Sequence, residues 1–121
     1  MVFSIIIGVS AYAVRKGVYM IGCTITKPGK VEMKNFEKGS LTEIQEFVGG
    51  YIETLNYLGD QVVVVVHDEG KLVGLPHTCF IRYNNRTMEL VGNVVIFKIK
   101  NNDFSSITQK EAAQFIGKYI F

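Results

Sequence analysis

The chain of 121 residues fits one domain and is long enough to bury a core without a disulfide or metal staple. Its hydrophobic fraction of 48% excludes a disordered chain. A formal net charge of only +2, with the basic residues dispersed, argues against both a nucleic-acid binder with a dense basic patch and a strongly acidic nucleic-acid mimic.

The chain opens with an apolar run over residues 3–14 that includes Ile5, Ile6 and Ile7. The run falls short of the ~20 apolar residues that span a bilayer. It has neither a basic n-region before it nor a clean small-residue cleavage site after it, which argues against a signal peptide or membrane anchor. The segment Arg15-Lys16-Gly17-Val18-Tyr19-Met20 back-translates to a purine-rich stretch, an AT-rich spacer and a start codon. That is the layout of a bacterial ribosome-binding site read through as protein. Residues 1–19 are therefore expected to be either a misread leader ahead of Met20 or an extra N-terminal element. Residues 20–121 are expected to form a single globular domain.

From Met20 the pattern predicts a β-branched strand over residues 21–26 and a turn at Lys27-Pro28-Gly29-Lys30. A second, exposed strand follows over residues 31–36. Ser40 and Glu43 form a capping box opening a helix whose buried face is Leu41, Ile44, Phe47 and Val48. Glycine at 49 or 50 stops that helix, and residues 51–55 read as strand. The five valines of residues 61–66 predict a strand buried on both faces, at the centre of the sheet. His67-Asp68-Glu69-Gly70 reads as a tight turn, with residues 71–75 returning antiparallel until Pro76. Residues 78–83 and 87–91 form a hairpin about Asn84-Asn85-Arg86. Residues 94–99 make a further strand, and Asn101-Asn102-Asp103 a loop. A second capping box, Thr108 with Glu111, opens a last helix whose apolar stripe is Ala112, Ala113, Ile116 and Ile120. The fold class is α+β: a mainly antiparallel sheet, or small barrel, with two packed helices. Cys23 and Cys79 sit in apolar stretches and read as free buried thiols.

Three short signatures stand out: Gly49-Gly50-Tyr51-Ile52-Glu53, Asp68-Glu69-Gly70-Lys71 and Gly74-Leu75-Pro76. With the closing Phe104-Ser105-Ser106-Ile107-Thr108, they resemble the small phage and plasmid family known only as domain of unknown function 3846. Residues 20–29 are similar to that family's opening strand and Pro-Gly turn, which also points to Met20 as the start. The resemblance covers residues 20–121. It implies a mobile-element origin and a cytoplasmic setting in a bacterial host, and it carries no assigned reaction. One departure is that the family continues its Gly-Leu-Pro with an asparagine-bearing polar stretch, whereas this chain continues His77-Thr78-Cys79-Phe80.

The residues themselves offer little catalytic chemistry. His67, His77, Cys79 and the distant Cys23 match no structural zinc spacing. Glu53, Asp68 and Glu69 offer carboxylates and the histidines a base, but no nucleophile has a motif around it. Small-ligand binding fits better. Amides at Gly49, Gly50 and Gly74 can approach an anion closely. Tyr51 and His77 can stack on a base, while Lys71 and Arg82 can pair with phosphate. The candidate ligand-binding residues are Gly49, Gly50, Tyr51, Glu53, Glu69, Lys71, Pro76, His77 and Arg82, with no cofactor and no metal. If they form one site, the three signatures converge at one end of the sheet; the competing reading makes the glycines caps and Tyr51 core. The leading functional expectation is a non-enzymatic accessory protein that binds, and so sequesters, a small nucleotide-like host molecule, as in counter-defence. The alternatives are a module that blocks or adapts a host or phage enzyme, and a small hydrolase. The exposed strand over residues 31–36 also invites a homodimer.

Overall fold

The structure, a computed structural model, describes residues 19–37 and 41–121. The apolar run at residues 3–14, the question of a leader over residues 1–18 and the Ser40 half of the first capping box lie outside these residues.

Strand β1 (Tyr19–Lys27) turns through Pro28 and Gly29 into β2 (Lys30–Glu37), with Gly29 at φ 78°. Helix α1 (Leu41–Val48) follows, then β3 (Ile52–Tyr57) and β4 (Val62–His67). Next come β5 (His77–Tyr83), β6 (Arg86–Val91), β7 (Val94–Lys100), the short β8 (Asp103–Ser105) and helix α2 (Gln109–Tyr119). The main sheet runs β2-β1-β7-β4-β3, every pair antiparallel, with β8 pairing the far half of β7. The fold is α+β and mainly antiparallel, as the sequence pattern predicts. The sheet is open: among the described residues β2 and β3 are its two edges.

Both faces of this sheet are covered, which is why its inner strands are apolar without alternation. Val62, Val64 and Val66 face one core, shared with Cys79, Ile81 and Leu90 of the β5–β6 hairpin and with Ala112 and Phe115 of α2. Val63 and Val65 face the other, where Ile44 of α1 packs with Met20, Phe36 and Phe97. The valine strand is thus interior and buried on both sides. The middle position, however, belongs to β7, whose Val94, Val95, Ile96 and Phe97 are all fully buried.

Five local expectations change. Leu41, placed on the buried face of α1, is half exposed, because Ile44 and Val48 carry that face into the core. Residues 71–75 do not return as a strand, because the free side of β4 is taken by β7. They coil instead, Val73 N–H donating to Glu69 O at 3.0 Å and Leu75 N–H to Gly70 O at 2.9 Å, and Leu72 and Val73 are left exposed. The hairpin β5–β6 leaves the main sheet and packs across its face as a separate two-stranded sheet. The loop at residues 101–103 tightens to a two-residue hairpin turn: Asn101 and Asn102 adopt φ 55° and 63°, and Asp103 already pairs with Lys100 as the first residue of β8. In α2, Ala113 is exposed and Phe115 is the buried anchor, ringed by Tyr57 at 4.9 Å and Tyr119 at 4.8 Å.

The second capping box is present as read. Thr108 N–H donates to Glu111 Oε1 at 3.0 Å, and Glu111 N–H donates to Thr108 Oγ1 at 3.1 Å. The Thr108 backbone bond is the main reason the Glu111 carboxyl sits below its ordinary value. Its small contribution is therefore complete at neutral pH and is lost as pH falls through that depressed value.

Cys23 and Cys79 are free and buried, and burial pushes each thiol up to about 11. Alkylation needs the thiolate. At neutral pH the folded protein is therefore expected to take up no iodoacetamide, and the denatured chain to take up two equivalents, read by intact mass. Rapid labelling of the native protein would mean that this core opens easily.

Candidate functional site

The end of α1 delivers β3 to the end of β4. Gln45 O accepts both Gly49 N–H (2.8 Å) and Gly50 N–H (3.0 Å), closing the helix, and Asp68 N–H donates to Tyr51 O at 3.0 Å. The first two signatures therefore meet backbone to backbone. The His67 ring lies against Gly50: a Cβ there would sit 2.5 Å from its Nε2, so no larger residue fits unless the ring moves. Nδ1 of that ring accepts the Glu69 N–H at 2.9 Å. Asp68 Oδ1 lies 3.8 Å from the same nitrogen. His67 brackets the helix end to the turn.

The third signature is a plug. Leu75 Cδ1 lies 2.6 Å from where a Cβ on Gly92 would be and 3.4 Å from one on Gly70. Pro76 O accepts Gly92 N–H at 2.8 Å, and Thr78 Oγ1 donates to Gly92 O. Leu75 and Pro76 thereby fasten the 68–76 loop to the β6–β7 connection.

Between the β3–β4 end and β6 a cleft of about 360 Å³ opens. Leu55 and Val66 of the sheet and Met88, Leu90 and Val91 of β6 supply its apolar lining. Glu53, Asp68, Glu69 and Glu89 bring carboxylates to it, against Lys71 as the only Lys or Arg in its lining among the described residues. Among the described residues no serine, threonine or cysteine lines it.

The sequence-derived candidates divide accordingly. Glu53, Glu69 and Lys71 line the cleft. His77 stands one step behind it, its Nδ1 2.8 Å from Oε2 of Glu89. Gly50 supports it through His67. Gly49, at φ 90°, caps α1, and Tyr51 is 75% exposed, neither in the core nor in the lining. Pro76 contributes a backbone acceptor to the loop anchor. Arg82 is not in the lining: it pairs with Thr87 on β5–β6, and its guanidinium lies 5.5 Å from the Phe121 ring. In the tempting metal set, Cys79 is buried in the core, and the two imidazoles bond to different partners, the Glu69 amide and the Glu89 carboxylate. Among the described residues no group of three or more His, Cys, Asp or Glu is arranged to hold a metal ion.

Glu89 and the apolar wall of Met88, Leu90 and Val91 are additional to the residues singled out in the sequence, while Asp68, named there for its carboxylate, also lines the cleft. The alternation of Met88 and Leu90 marks one apolar face of β6, but nothing local says that it lies over β3 and β4.

A family model matches residues 21–120. The chain belongs to the family described as Domain of unknown function (DUF3846). The matched span of this DUF3846 protein takes in the whole cleft lining. No curated protein and no solved structure matches the chain. No helix among its described residues is long and apolar enough to cross a membrane.

Proposed function

We propose that this DUF3846 protein binds, without transforming it, a small ligand in the cleft between β3–β4 and β6. The ligand presents N–H donors, as an amino-bearing nucleobase or an amine does, over an apolar floor. The observation that carries this reading is the balance of Glu53, Asp68, Glu69 and Glu89 against Lys71. Carboxylates accept N–H donors strongly, and several of one sign around a concave surface favour a donor-rich or positive group. A nucleotide-like ligand would enter by its base, with Lys71 the one ammonium at the cleft for a phosphate. Binding is favoured over hydrolysis because, among the described residues, no hydroxyl or thiol lines the cleft as a nucleophile. In the mobile-element setting that the family resemblance implies, such a protein acts by holding a host molecule away from its receptor.

A thermal-shift screen of nucleosides, nucleotides, cyclic dinucleotides and polyamines tests this, because a ligand that binds only the folded state raises its melting temperature. Amino-bearing nucleosides or amines are expected to raise it. Glu53→Gln and Glu69→Gln should each weaken the effective ligand about tenfold, equal to about 1.4 kcal/mol. Lys71→Ala should affect only phosphate-bearing ligands. No shift across the panel would sink the reading. Turnover of a stabilising ligand, seen by chromatography, would replace binding with catalysis.

A further inference from the structure

We infer that β2 is a self-pairing edge, through which two copies of this chain join their sheets antiparallel about a two-fold axis at Met33. The inference is independent of the cleft and its ligand. Strand β2 spans Lys30–Glu37, contains no proline and pairs only with β1 among the described residues. Alternate residues of such an edge turn their N–H and C=O groups outward, a ready template for another strand.

The side chains select the partner and the register. Glu32 and Lys34 project to the same face, two residues apart. Across β1 they meet Thr24 and Gly22, which carry no charge, and neither takes part in a salt bridge among the described residues. On the opposite face Val31 and Met33 are 46% and 37% exposed, beside Ile21 at 36%. A two-fold axis perpendicular to the sheet keeps each face on its own side, so residue pairs must be centred on one residue of β2. Centring on Met33 sets Glu32 against the partner's Lys34 and Lys34 against the partner's Glu32, two cross-strand ion pairs. Met33 then abuts the partner's Met33 on the other face. Centring on Glu32 or on Lys34 instead places like charges directly opposite, which destabilises a strand pair. Centring on Val31 would also set Lys30 against the partner's Glu32, but it overlaps only residues 30–32, whereas centring on Met33 overlaps residues 30–36; the longer register carries the Glu-Met-Lys complementarity and commits the edge to a second copy of this chain.

The test is the molar mass of the full chain across a dilution series, by light scattering or sedimentation. The wild type is expected to move from the 13.6 kDa monomer toward twice that mass as concentration rises. Glu32→Lys and Lys34→Glu each turn both ion pairs into repulsions, and each should raise the dimer dissociation constant about tenfold or more. The double variant E32K/K34E recreates the pairs with reversed sign and should recover the dimer. Circular dichroism melts establish that each variant is folded. If Lys34→Glu loses its contact over the Phe36 ring, at 5.3 Å, and fails to fold, Glu32→Lys still puts the same question. A wild type monomeric at every concentration, a dimer indifferent to the single changes, or a folded double variant that stays monomeric would each overturn the inference.

Discussion

Val64→Asp is expected to abolish the cooperative unfolding transition. Val64 is 0% exposed and lies between Leu55 on β3 and Ile96 on β7. Its side chain enters the core formed with the β5–β6 hairpin and α2, where the buried neighbours are aliphatic, aromatic or thiol. An ionised carboxylate there has no cation to pair with, and burying one costs several kcal/mol even after relaxation. The protonated form would still hold unsatisfied polar atoms. Since small domains are stable by about 5–15 kcal/mol in total, a loss of this size takes most of the margin. A urea titration followed by circular dichroism reads the result. A variant that melts like the wild type would remove β4 from the interior and with it the two-core architecture.

Phe97→Ala is expected to cost about 3–5 kcal/mol, the usual range for emptying a buried phenylalanine site. Phe97 is 0% exposed; its ring stacks on Phe104 at 5.3 Å and 12° and meets the edge of Phe36 at 5.4 Å and 72°. Those partners come from β8 and β2, so truncating the one ring loosens three strands. Leu72→Ala provides the contrast. Leu72 is 81% exposed, and surface changes of this kind stay within about 0.5 kcal/mol. Equal losses for the two, measured by denaturant midpoint, would contradict the burial assigned to Phe97.

Much of the local structure was readable because its causes are local. The Pro28-Gly29 turn, the glycine stop after Val48, the Asn84-Asn85 hairpin and the Thr108–Glu111 box each need only neighbouring residues, and all four occur. The valine strand was readable because burial on both faces removes alternation. The failures arise where the partner is distant. Leu72, Val73 and Leu75 look like a strand in isolation, yet the position beside β4 was claimed by β7, which begins with Val94. Ala113 and Ile116 satisfy a helical stripe as well as Phe115 does, and it is the ring of Tyr57, distant in sequence, that joins Tyr119 around Phe115. At the cleft, the sequence-derived candidates and the lining share Glu53, Glu69 and Lys71, whose turn and strand-end positions are visible locally. Sequence reasoning missed the β6 wall, which depends on how the hairpin folds over the sheet. It also grouped Arg82 with Lys71, although β5 carries the former away.

The middle strand of the sheet is also the second-to-last strand in the chain. β1–β2 and β3–β4 are local hairpins that can close within microseconds. Among the described residues they share no direct pairing, and within the sheet only β7 joins them. During synthesis both hairpins leave the ribosome before Val94–Lys100, with their apolar faces still unsatisfied. The step that makes one sheet must then close the chain between Cys23 and Ile96, a long loop whose entropy is lost before any contact repays it. A chain truncated ahead of Val94 is therefore expected to lack the strand that joins the two hairpins and to be prone to aggregate.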